Sequence, residues 1–135
     1  MIDYKNIFDT TMKCGGITYN IRENQALTKG FVVALYGYEL QIDLKDFTIE
    51  TIKQYIKDNE RAFKIYKEAV LGTWVNDDKV FLDISKVYNS KEYALTIAKN
   101  QGELAIFNLD NFEEITIEYD SEADRLSRRE PNVAA

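Results

Sequence analysis

The chain has 135 residues, 45% hydrophobic and 30% charged, with six glycines and one proline; this excludes disordered, collagen-like and low-complexity chains and predicts one compact domain. There is no histidine and a single cysteine, Cys14, which removes His-dependent triads, Cys–His dyads, His-ligated zinc or haem, internal disulfides and Cys-based zinc clusters. The formal net charge is −6, and its whole excess falls in residues 70–120, where ten acidic residues stand against four lysines; such a field disfavours nucleic acid and attracts basic protein surfaces.

Residues 3–14 place Tyr4, Ile7, Phe8 and Met12 at helical spacing before Gly15-Gly16, predicting a short helix with a glycine stop. Residues 17–20 are β-prone and 21–29 read as a polar loop. Residues 30–44 read as a hairpin turning at Tyr36-Gly37, which would pair Leu35 with Tyr38, Val33 with Leu40 and Phe31 with Ile42. Glu39, Gln41 and Asp43 would then face water or a partner.

Residues 48–69 predict one long helix capped by Thr48, with Ile49, Ile52, Ile56, Phe63, Tyr66 and Val70 in a stripe that Asn59 interrupts. Its outer face is lysine-rich, but interspersed Asp58, Glu60 and Glu68 mark a solvated face. Residues 70–85 predict a second hairpin with Asn76-Asp77-Asp78-Lys79 at its tip and Val75 opposite Val80. Leu71, Thr73, Val75, Val80, Leu82 and Ile84 share one face. The other brings Trp74 beside Phe81 and Gly72 opposite Asp83.

Residues 89–101 carry a capping-box pattern, Asn89 with Glu92, and a small-residue face of Ala94, Ile97, Ala98 and Gln101 before Gly102. Strands follow at 103–108 and 113–119. The fold class is α+β: a single domain over 1–120 of mainly antiparallel hairpins packed against one long and one or two shorter helices. A charged tail over 121–135 is expected to hold a frayed helix at 121–130 and a disordered end.

The candidate chemistries are weak. Cys14 sits at a helix C-terminus, where the dipole raises a thiol pKa, and no histidine serves as its base. No GxGxxG or GxxxxGK[ST] phosphate loop occurs. Asp77 and Asp78 at a tip, with Asp83 down the strand, fit one cation poorly. Glu113 and Glu114 would point to opposite faces of a strand. No catalytic residue, metal site or cofactor is predicted. Trp74 and Phe81 are expected to be core, covered by a helix. If that face is bare, they form with Asp77, Asp78 and Asp83 a protein-binding patch. No stretch reaches the roughly 18 apolar residues of a membrane span. No signal peptide is read at the N-terminus, and one unpaired cysteine fits a reducing cytoplasm.

Gly72-Thr73-Trp74-Val75-Asn76, then Val80-Phe81-Leu82-Asp83-Ile84-Ser85, then Ala94…Ala98…Gln101…Leu104-Ala105-Ile106-Phe107 resemble a group of small accessory proteins. These are encoded by phages, plasmids and conjugative elements of low-GC Gram-positive bacteria. Thr10 to Asn20 and Gly30-Phe31-Val32-Val33 fit the same pattern, so the resemblance covers residues 4–118. It implies a mobile-element protein of a bacterial cytoplasm and brings no cofactor or catalytic residue. Relatives often have a histidine after the glycine where this chain has Gly37-Tyr38; a chemistry needing it would be lost here.

The expected function is therefore a non-enzymatic protein-binding accessory factor that inhibits a host nucleic-acid-handling or defence protein, of anti-restriction or anti-CRISPR type. Its partner would be a protein with a basic surface, docking at Trp74, Asp77, Asp78, Phe81 and Asp83. The alternatives are a small carboxylate- or metal-dependent hydrolase or transferase, and a structural module that self-associates.

Overall fold

A computed structural model describes residues 1–129. In chain order the elements are α1 (Tyr4–Cys14), β1 (Gly16–Asn20), β2 (Gln25–Ala26), β3 (Phe31–Ala34), β4 (Leu40–Asp43) and a short 3₁₀ turn (Leu44–Asp46). Then follow α2 (Ile49–Asp58), α3 (Glu60–Ile65), β5 (Val70–Asn76), β6 (Lys79–Tyr88), α4 (Lys91–Asn100), β7 (Ala105–Asn108), β8 (Glu113–Thr116) and α5 (Glu122–Ser127). The strand pairings within each unit below are antiparallel and the class is α+β. The described residues form two compact units, one from residues 1–28 and 37–86, the other from 29–36 and 87–129.

The first unit orders its strands β2-β1-β5-β6-β4. The β5–β6 hairpin has the expected register: Asn76 pairs with Lys79 across the loop Asp77-Asp78, Val75 with Val80, Trp74 with Phe81 and Gly72 with Asp83. The alternation buries Leu71, Thr73, Val80, Leu82 and Ile84 on one face. Helix α1 packs on that face against β1 and β5, with α2 beside it. Asp3 caps α1 by accepting from the Asn6 N–H at 3.0 Å, and Gly15, at φ 90°, ends it. Thr11 donates its only hydroxyl proton to the Ile7 carbonyl (2.7 Å), so the Thr73 hydroxyl donates to Thr11 Oγ1 at 2.5 Å. This buried pair fixes the height of α1 over β5.

The long helix expected over 48–69 is two. Thr48 and Thr51 form the capping box of α2, as the cap at Thr48 predicts. The break comes at Asn59, at φ −109° and ψ 18°, whose Nδ2 donates to the Tyr55 carbonyl at 2.8 Å. The Tyr55 carbonyl thus accepts both this side chain and the Asn59 N–H, at 3.1 Å, where the helix axis breaks. Helix α3 ends at Ile65, and Arg22, reaching over from the β1–β2 connection, donates to the carbonyls of Phe63, Tyr66 (2.8 Å) and Ala69 (3.0 Å) in and after it.

The hairpin expected over 30–44 does not form. The turn at Tyr36-Gly37 exists, with Gly37 at φ 99°, but β4 pairs with β6, placing Leu40 opposite Leu82 and Gln41 opposite Phe81. Strand β3 pairs with β7, Phe31 opposite Asn108 and Val32 opposite Phe107. Alternation fixes which face a strand buries but not which neighbour it takes. Here the Asp43–Lys79 ion pair and a 2.7 Å bond from the Leu44 N–H to the Asp78 carbonyl hold β4 along β6.

In the second unit β3, β7 and β8 lie side by side. Val33, Ala94, Ala98, Ile106 and Ile117 form its core, the small residues of α4 allowing close approach as expected. The cap of α4 is Ser90, not Asn89: its Oγ accepts from the Tyr93 N–H at 3.1 Å. Helix α5 occupies part of the segment expected as tail. Arg125 and Arg129 both donate to the Gly102 carbonyl, at 3.0 and 2.8 Å, and so tie α5 to the turn that follows α4. The expected disordered end beyond residue 129 lies outside the described residues.

Candidate protein-docking site

Residues on β5 and β6 that alternate away from the helices form the opposite face of the first unit's sheet. Across it runs one row: Gly16 on β1, Trp74 on β5, Phe81 on β6 and Gln41 on β4. The Trp74 and Phe81 rings stack with centroids 4.2 Å apart and planes 12° from parallel. A helix over this pair was the first expectation. Instead α1 packs on the other face, and Trp74 stays 41% exposed with Phe81 half-buried. Stacking supplies about 0.5–1.5 kcal/mol beyond burial, enough to hold both rings upright without a cover.

The carboxylates divide into two kinds. Asp77 and Asp78 are exposed at the hairpin tip, Asp77 in the left-handed region at φ 56°. Beside them Asp43, Leu44, Lys45, Asp78 and Lys79 line an open depression of about 510 Å³. Asp83 lies on the same face as Phe81, half-buried, with its carboxyl over Gly72. Its Oδ1 accepts from Ser85 Oγ at 2.6 Å, and a Cβ on Gly72 would collide with the carboxyl, so Gly72 makes the room it occupies. Burial pushes the Asp83 pKa up, the Ser85 bond opposes this, and the charge of Glu39 adds to it. Tyr55 donates to the Tyr38 carbonyl at 2.6 Å; burial, then the charges of Asp83 and Glu39, push its phenol well up, so it stays a neutral donor.

The structure thus brings Trp74 and Phe81 together, sets Asp77 and Asp78 further along the same hairpin, and leaves Asp83 half-buried on the same face, its carboxyl bonded to Ser85. Glu39, exposed and just before β4, falls across from Asp83 when the β4–β6 register is continued. Glu39 and Gln41 complete the patch. Their alternation marked them as outward-facing, but only the pairing of β4 with β6 sets them beside Phe81. Most of the acidic surplus of residues 70–120 lies elsewhere: seven of its ten acidic residues, from Glu92 to Asp120, belong to the second unit. At the hairpin tip Lys79 is paired with Asp43 and Lys45 lies beside Asp78, so the carboxylates facing solvent are those of Asp77 and Asp78.

Among the described residues, no three His, Cys, Asp or Glu side chains converge as a metal-ligand group, and no helix is long and apolar enough to cross a membrane. Glu113 and Glu114 pair with Asn108 and Phe107 and point to opposite faces of β8. Cys14 is exposed at the end of α1. In comparison with known proteins, no family model, curated protein or solved structure matches the chain.

Proposed function

We propose that the chain is a non-enzymatic protein-binding accessory factor that docks on a basic protein surface through Trp74, Phe81 and the acidic hairpin tip. The observation that carries this reading is the bare, stacked Trp74–Phe81 pair. A large aromatic left 41% exposed beside carboxylates is the residue pattern of interface hot spots with a charged rim. The resemblance to accessory proteins of mobile elements supports a host nucleic-acid-handling or defence protein as the target, inhibited or redirected by occlusion in the bacterial cytoplasm.

Tagged full-length protein is incubated with lysate of a Gram-positive host and captured partners are identified by mass spectrometry. A specific basic protein is expected with the wild type. Trp74→Ala should release it faster, and the double reversal Asp77→Lys, Asp78→Lys should slow its association at low salt, both variants keeping the wild-type circular dichroism spectrum. Capture indifferent to both variants would remove this surface from the function.

A further inference from the structure

Resting on that docking reading, we propose that the group recognised at this site is an arginine side chain of the partner, its guanidinium stacked on the free face of Trp74 and paired with the tip carboxylates. Phe81 covers one face of the indole at 4.2 Å. The other face looks towards β1, where the residue directly across is Gly16, which places no side chain in front of it. On the far side of β1, β2 pairs with Tyr19 and Asn20 and the Leu27 N–H bonds the Thr18 carbonyl at 2.8 Å, so that strand stops short of Gly16 and Ile17. The result is a flat slot, one wall an indole, open at the sheet margin.

A planar cation fits such a slot: guanidinium stacks on an aromatic face, whereas an ammonium is a compact, strongly hydrated charge. Asp77 and Asp78 at the tip supply acceptors for its N–H groups. The same chemistry already operates within this chain. In the second unit Arg129 lies 4.5 Å over the Tyr36 ring and pairs with Glu103 at 2.5 Å. Arg128 lies 5.5 Å over Tyr119 and pairs with Asp124 at 3.3 Å. Each arginine sits on a ring and against a carboxylate. The Trp74 slot offers both parts with no arginine of its own in it.

Trp74 is the only tryptophan, so its emission reports on the slot directly. Full-length protein is titrated with a capped peptide of alternating glycine and arginine, with its lysine counterpart, and with its citrulline counterpart, which keeps the planar shape and loses the charge. The arginine peptide should change Trp74 emission saturably and bind about tenfold more tightly than the lysine peptide, with the citrulline peptide weaker still. Calorimetry should show this preference abolished in Trp74→Leu, and affinity reduced about three- to tenfold in Asp77→Asn with Asp78→Asn, a change at the exposed tip that leaves folding intact. Equal binding of arginine and lysine peptides, or an arginine preference surviving in Trp74→Leu, overturns the proposal. If the arginine preference is missing while lysate capture still depends on Trp74, the guanidinium assignment alone falls. If lysate capture is also independent of Trp74, the docking surface falls with it.

Discussion

Asp83 shares the face of Trp74 and Phe81, but its carboxyl is engaged within the sheet rather than offered at the tip. Its carboxyl is held between Gly72 and Ser85, with Glu39 as a like-charged neighbour. Its native pKa is raised above the ordinary 3.8, which has a definite sign for stability. Below 3.8 the group is protonated in both folded and unfolded chains and costs nothing. As pH rises past 3.8 the unfolded chain ionises freely while the folded one resists, so stability is lost until the native carboxyl ionises as well. Asp83→Asn keeps the shape and the acceptor for Ser85 Oγ but cannot ionise. Thermal unfolding from pH 3.5 to 7 should therefore show the variant gaining on the wild type as pH rises. A gap between the two that does not change with pH would mean that the carboxyl is not desolvated in the native state.

At the level of elements, the β1–β2 connection matters through Arg22. One guanidinium satisfies three carbonyls, one in α3 and two between it and β5, and so ties the β1–β2 loop to the chain that leads into β5. Hydrogen bonds from charged donors contribute about 1.5–3 kcal/mol, so Arg22→Met should cost about that much in urea unfolding. Arg22→Lys should recover less than half of the loss, because an ammonium on a flexible stem cannot span three acceptors. A lysine variant as stable as wild type would show that only the charge counts. None of this was legible in the sequence, where residues 21–29 read simply as a polar loop. What was legible is local. The β5–β6 register follows from a two-residue tip flanked by alternating apolar residues, and the helical faces follow from spacing. The β3–β4 hairpin misled because its alternation is equally compatible with distant partners. The break at Asn59 was visible as a polar interruption, but its effect depends on a side chain bonding its own Tyr55 carbonyl. The pairing of Trp74 with Phe81 was therefore readable but not that their face is bare, while Glu39 and Gln41 depended on a pairing some forty residues along the chain.

For the whole molecule, the path of the chain between its two units sets what cleavage can do. The backbone passes from one unit to the other three times, at Thr28–Lys29, Tyr36–Gly37 and Lys86–Val87. A protease cut at Tyr36-Gly37 makes two fragments, and neither is a unit. The shorter carries α1, β1 and β2 of the first unit together with β3 of the second; the longer carries the strands they pair with, β5 and β7. Such a nicked protein is a complementation pair, each piece supplying strands that the other lacks. With a protease site placed in the Leu35–Glu39 connection, the two fragments should co-elute on gel filtration after cleavage and separate only in denaturant. Mixing the separately purified pieces should regenerate Trp74 emission of the intact chain, so the interleaved path makes this small protein divisible without being separable.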